Sequence, residues 1–181
     1  MRSRNLPHRA SFVFLHNSAG LLFVQQRVAW KETYPSHHDP APVRPPVRVA
    51  ALHSLTTTSR PPLTPHGCMQ SLFQGGVVGA GESYEENAAR EVEEEMGVAG
   101  AALTPLFDFF FQDGVTRVWG RAFRTTYDGP LRLQPEEVAG GEWMAMAHAA
   151  KLVDQGPVCP DSAAAFREYV KRIAAGEVTP P

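Results

Sequence analysis

Between Gly75 and Val98 the chain passes from a glycine-rich loop into a helix whose two ends are both marked by residue type. Ser83 and Glu86 stand at the S-x-x-E spacing of a capping box, and Gly97 can take the left-handed position just past the last turn. The spacing predicts a helix from about Tyr84 to Met96. At 100° per residue, Glu91, Glu94 and Glu95 fall within an arc of about 100° on one face. Ala88, Ala89, Val92 and Met96 occupy the adjoining sector, which would pack the helix into a core. Like charges three and four residues apart repel by roughly 0.2–0.5 kcal/mol per pair. A hard divalent cation removes that repulsion, and Mg²⁺ prefers carboxylate oxygens, with Mn²⁺ accepting the same donors. Glu82, on the loop before the helix, can swing toward the same ion. Arg90 flanks the glutamates and can orient one of them through a forked ion pair. A Glu-rich helix is otherwise a solvated face, and Glu85, Glu86 and Glu93 read that way.

The full run GVVGAGESYEENAAREVEEEMGV reads as Gly76, five residues, Glu82, seven residues, then Arg90-Glu91-Val92-Glu93-Glu94-Glu95-Met96-Gly97-Val98. It resembles the Nudix box, G-x5-E-x7-R-E-U-x-E-E-x-G-U with U a bulky aliphatic residue, and every defined position matches. The resemblance implies an α/β fold, specifically an α/β/α sandwich around a mixed sheet. It also implies water attack on phosphorus in a nucleoside diphosphate derivative or a similar small molecule. Mg²⁺, or Mn²⁺ in its place, would polarise the phosphoryl oxygens. On this reading Glu91, Glu94 and Glu95 are metal ligands with Glu82 assisting. Glu94, Glu91 and Arg90 form the catalytic group, and Gly75 and Gly76 form the diphosphate loop. Nudix enzymes draw their general base from the box or from a later loop. Here Gln134 to Val138 offers Glu136 and Glu137, which are equally readable as solvated turn residues.

The segment from Trp30 to Pro35, followed by His37-His38-Asp39, resembles the stretch before the box in the Nudix branch containing isopentenyl diphosphate isomerase and its hydrolase relatives. The isomerase requires a Cys-Gly-His stretch where this chain has Gly75-Gly76-Val77, and neither Cys68 nor Cys159 fills that place. A non-catalytic binding module on the same scaffold is the other alternative. Such modules commonly lose box carboxylates, and this chain keeps all of them.

A chain of 181 residues suits one domain. A formal net charge of −2 gives no electrostatic reason to expect nucleic acid or an anionic membrane as partner. Two cysteines argue against a disulfide framework, and no apolar run approaches the roughly 20 residues that span a bilayer. The expectation is a cytoplasmic enzyme acting on a small-molecule diphosphate, with an organellar location and the oligomeric state left open. Ala10 to Leu15 and Leu21 to Gln25 read as a hairpin, and Leu106 to Gln112 with Val115 to Thr126 as a second one across Asp113-Gly114. Glu142 to Met144 reads as a strand end, and Ser162 to Ala174 as a helix capped by Asp161 or Ser162. Trp30, Phe109 and Trp119 could be core or pocket. The 32 residues from Val43 to Gln74 contain five prolines, three arginines and no Asp, Glu or Lys. With no periodicity over that length, residues 43–74 read as a disordered insert within the single domain, of the kind an in-frame retained intron would produce.

Overall fold

The computed structural model describes residues 6–28 and 70–181. Among them, one sheet holds β1 (His8–His16), β2 (Leu22–Arg27), β3 (Gln70–Ser71), β4 (Thr104–Gln112), β5 (Arg117–Thr126) and β6 (Val138–Met144). The helices are α1 (Tyr84–Met96), α2 (Met146–Gln155) and α3 (Pro160–Ala174). Strand order is β3-β2-β1-β5-β4, with β6 paired to β2. β1 and β5 run parallel from His8↔Val118 to His16↔Thr126, while the other named pairs are antiparallel. The sheet is therefore mixed.

Alternation along β1 assigns each face its layer. Ala10, Phe12 and Phe14 join the cluster that contains Ala149 and Val153 of α2 and Phe166 and Tyr169 of α3. Phe14 stacks on Tyr169 with ring centroids 4.5 Å apart. Val13 and Leu15, one residue out of phase, pack with Phe23 and Phe123 against Ala88, Val92 and Met96 of α1. Two apolar clusters on opposite faces of one sheet make the expected α/β/α sandwich.

The N-terminal hairpin turns at Asn17, whose Oδ1 accepts the Ala19 and Leu21 amides at 3.1 and 3.0 Å. Its strands share the His16↔Leu22 pairing and then diverge. The returning chain fills the fork. Gln70 and Ser71 pair with Gln26 and Gln25 of β2. Gln74 and Val13 of β1 exchange both backbone hydrogen bonds, at 2.7 and 3.0 Å. The Ser11 amide then donates to Gly76 O at 3.1 Å, and the Val78 amide to Arg9 O at 2.9 Å.

This corrects one boundary. Residues 43–69 of the expected insert lie outside the described residues, but Gln70 to Gln74 is built into the sheet, with Leu72 fully buried and Phe73 nearly so. Five residues whose partners lie about 45–60 positions away along the chain carry no local periodicity by which to see them. Helix α2 was likewise not foreseen, because its buried face consists only of Ala149 and Val153. The cap of α3 also differs: Pro160 opens the helix, and Ser162 instead accepts the Leu72 amide on its Oγ at 2.8 Å. The second hairpin turns through Asp113 to Thr116, where the Asp113 carboxylate accepts the Val115 and Thr116 amides, each at 2.7 Å.

If Gln70 to Gln74 is part of the core, Leu72→Ala should lower unfolding free energy by about 2–4 kcal/mol in urea denaturation. A change within roughly 0.5 kcal/mol would place the segment outside the cooperative fold.

Candidate active site

Both predicted ends of α1 are present. Ser83 Oγ accepts the Glu86 amide at 3.1 Å, Glu86 Oε2 accepts the Ser83 amide at 2.8 Å, and Gly97 sits at φ 70°. Glu85 and Glu86 in the first turn also complement the positive end of the helix dipole. The helix is thus fixed in register, and its carboxylates form a graded series. Glu94 is exposed, Glu91 is mostly buried with a side chain 14% exposed, and Glu95 is fully buried at 1%.

Arg90 gathers the predicted residues. Its Nε donates to Glu82 Oε1 at 3.0 Å, and its NH1 lies 3.0 Å from Glu94 Oε2 and 2.9 Å from Glu91 Oε1. One guanidinium therefore touches three of the four carboxylates assigned to metal. The fourth, Glu95, accepts the Gly75 amide on Oε2 at 3.4 Å. Gly75 thus spends its N–H on the helix rather than presenting it outward. Its φ of 147° and its position explain the glycine, since a Cβ there would lie 2.2 Å from Ser11 O. A Cβ on Gly76 would lie 2.6 Å from the Glu91 carboxyl carbon, so this glycine makes room for the carboxylate.

Glu82 is held from several directions. The Arg90 hydrogen bond, followed by those from the Gly79 amide and the Asn87 side chain, holds its carboxyl at about 2. Glu91 is shifted the opposite way. Burial raises its pKa above the ordinary value, Arg90 opposes the rise, and the charges of Glu94 and Glu137 add to it. Glu137 belongs to the later loop flagged in the sequence. Its carbonyl accepts the Val28 amide, and Gln134 donates to Glu95 O at 3.0 Å, so this loop is tied to both the sheet and α1.

Three contributors had weak sequence signals. Asn87 is fully buried; it accepts from Ser11 Oγ at 2.6 Å and donates to Val77 O and Glu82 Oε2, both at 3.1 Å. A polar residue beside Ala88 on the sheet-facing side was the available clue. Arg9 reaches Glu82 O at 3.0 Å and Gly79 O at 3.3 Å, bracing the loop from β1. Gln25 and Gln74 are buried polar residues on the strands that carry the chain toward the loop. Of the three aromatics, Phe109 packs on Phe12 at 4.8 Å, Trp119 is 55% exposed, and Trp30 lies outside the described residues, as do His37 and His38.

The family model of the NUDIX domain matches residues 6–163, most of the chain. The chain belongs to the Nudix hydrolase family. It is 35% identical over 170 residues to Nudix hydrolase PA4841 of Pseudomonas aeruginosa, covering 94% of this chain and 82% of that protein. It is 30% identical over 177 residues to Nudix hydrolase YfcD of Escherichia coli K12, covering 98% and 79%. Among solved structures it resembles DR0079 of Deinococcus radiodurans, with a TM-score of 0.64 at 23% identity over 89% and 82% of the two chains. A MutT protein of Methanosarcina mazei follows with 0.63 at 17% identity, over 93% and 95%. These two likenesses establish the fold, and the relatives by sequence make this Nudix protein an enzyme of the pyrophosphohydrolase class. Among the described residues, no helix is long and apolar enough to cross a membrane.

Among the described residues, no three His, Cys, Asp or Glu side chains already converge as a metal cage. The donor chemistry nevertheless fits a hard divalent cation. Glu91, Glu94 and Glu95 supply oxygen donors from successive turns, and burial, the main cause of the raised Glu91 pKa, leaves that carboxylate poorly solvated.

The linkage for Glu91 has a definite sign. Its folded pKa lies above the ordinary 4.5, so the folded state gains from protonation. That gain is complete below the unfolded value and is lost as pH rises through the folded one. In chelator, Glu91→Gln should therefore unfold at a higher temperature than the parent at pH 7. The difference should shrink toward pH 4, as thermal scans at both values would show.

Proposed function

We propose that this Nudix enzyme hydrolyses a diphosphate linkage in a nucleoside diphosphate derivative or a similar small molecule, with Mg²⁺ as cofactor and Mn²⁺ able to replace it. The observation that carries the reading is the complete box folded into one linked unit, with Arg90 joining Glu82, Glu91 and Glu94 and with Glu95 on the Gly75 amide. Glu91, Glu94 and Glu95 would hold the cation, with Glu82 supporting through Arg90. When bound, the cation neutralises charge on the phosphoryl oxygens and on the leaving group.

The remaining work falls to this chain's own side chains. Arg90 spaces the glutamates so that their oxygens face one region instead of diverging by repulsion. Gly76, with no Cβ, leaves the Glu91 carboxylate beside the loop. Glu137 brings a negative charge close to Glu91 from the facing loop. The proton of the attacking water would pass to a carboxylate of the box or to one on the Gln134–Val138 loop, where Glu137 is the residue whose charge reaches Glu91. The substrate is held by its diphosphate, whereas the attached group is selected by residues outside the box.

A panel of nucleoside diphosphate sugars, dinucleotides, nucleoside triphosphates and isoprenoid diphosphates, assayed with Mg²⁺, tests the reading. Release of phosphate-bearing products is expected for at least one class, and Glu94→Gln should lower kcat by about 10²-fold or more with an intact fold by circular dichroism. Most activity surviving in Glu94→Gln, with unchanged Mg²⁺ dependence, would remove Glu94 from the site.

A further inference from the structure

Beneath α1 lies a pair of amides that the fold itself leaves unsatisfied. Gln74 is fully buried and Gln25 is 2% exposed. Among the described residues, neither Nε2 nor Oε1 of Gln74 has a hydrogen-bond partner, and Oε1 of Gln25 has none. Gln25 Nε2 donates to Phe73 O at 2.9 Å, so that amide is anchored at one end only. Each unpaired atom bears its full desolvation penalty, and such groups in a folded protein call for a guest.

The backbone shows where these amides sit. Gln74 and Val13 exchange both hydrogen bonds of an antiparallel pair, which puts their side chains on one face of the sheet. Val13 packs in the α1 cluster, so Gln74 lies under α1. Gln25 follows Phe23 by two residues on β2, and Phe23 is in that same cluster, so alternation brings Gln25 to the same face. The residues that follow Gln74 reach the carboxylates directly. Gly75 donates to Glu95, and Gly76 lies against Glu91.

We infer that Gln74 and Gln25 are positioning residues of the metal site, their amides anchoring the water that completes the hydration of a cation held by Glu91, Glu94 and Glu95. The inference rests on the proposed hydrolase reading. Mg²⁺ keeps several of its waters in protein sites, and an ordered water needs two to four polar partners. Three unpaired amide atoms supply such partners on the sheet face that packs α1, with Gln74 next in sequence to the Gly75 amide that meets Glu95 and with Val13, Phe23 and Val92 of the same cluster all apolar. Gln74 would act through that water and through Glu95, without touching substrate.

The test is calorimetric titration with Mg²⁺ and with Mn²⁺, together with thermal unfolding in chelator, on the parent, Gln74→Met and Gln74→Glu. Methionine keeps the length and removes the polar atoms, so the metal-free melting temperature should hold or rise. Its cation dissociation constant should rise about 10- to 100-fold, as losses of outer partners do at metal sites. Glutamate retains an oxygen acceptor and should keep most of the parent's affinity. Parent-like cation affinity in Gln74→Met, with a lowered metal-free melting temperature, would reduce the amides to holders of a structural water and overturn the inference alone. If Gln74→Met does not fold, Gln25→Met decides: weakened cation binding supports the inference, and parent-like binding overturns it. A parent that binds neither cation would overturn the hydrolase reading, and this inference with it.

Discussion

The exchange of backbone hydrogen bonds between Gln74 and Val13 is the joint on which the site depends. β1 and β2 separate beyond His16↔Leu22, and an open fork in a sheet leaves unpaired amides and carbonyls on both inner edges. The segment from Gln70 to Val78 satisfies β2 with its first half and β1 with its second. That arrangement fixes the loop before α1 to within hydrogen-bond tolerance. It also explains Gly75, because the crossing from one strand to the other would put a Cβ there 2.2 Å from Ser11 O. Once the loop is fixed, the start of α1 is fixed by Ser83, and every glutamate position follows from 3.6 residues per turn.

Electrostatics then sorts four carboxylates of one short segment into different roles. Glu82 is stabilised as an anion by Arg90, Gly79 and Asn87, so it behaves as a fixed counterion of Arg90. Glu91 receives one favourable partner, Arg90, and that attraction is outweighed by burial and by two neighbouring negative charges. Glu94 projects to solvent, while Glu95 is enclosed against Gly75. Identical side chains three and four residues apart thus differ because the sheet lies closer to one edge of the helix than to the other. The unpaired amides below them cost about 1–3 kcal/mol for each buried atom left without a partner. Two apolar clusters and a fully capped α1 offset that cost.

The parts legible in the sequence were those with short-range logic. The α1 boundaries and its buried Ala88, Val92 and Met96 depend on residues within a few turns of one another and match the structure, whereas Ala89, expected on the same apolar face, is exposed and Asn87 is buried in its place. The mixed sheet followed from the family resemblance rather than from periodicity. What stayed hidden depends on distant partners. Gln70 to Gln74 acquires strand character only by meeting β2 and β1, and Asn87 becomes a connector only when Ser11 arrives opposite it. Glu137 was visible as one of two adjacent glutamates, and its electrostatic contact with Glu91 singles it out from Glu136. Helix α2 was missed because two buried side chains in ten residues leave little pattern to detect.

The aromatic residues raise the matter of what the attached group of a substrate would meet. Trp119 is exposed and lies 4.7 Å from the ring of Phe110, a surface that could receive a base or another flat group. Its surroundings, however, are already committed. Tyr84 donates to Trp119 O at 3.1 Å and lies between the guanidinium groups of Arg9 and Arg121, at 5.3 and 4.9 Å from its ring. Arg121 is further occupied by Asp108 and by Glu85. These contacts fasten the first turn of α1 to β1, β4 and β5. Glu95 stands eleven residues further along the helix, which is about 16 Å at 1.5 Å per residue. Trp119 is therefore tied to the opening turn of α1, while Glu95 lies in its last turn. At that far end the Gln134–Val138 loop is held to β2 by the Val28 amide on Glu137 O and to α1 by the Gln134 amide on Glu95 O, and the Gly75 amide meets the Glu95 carboxylate, so the loop, the helix end and the glycines are fixed as one unit.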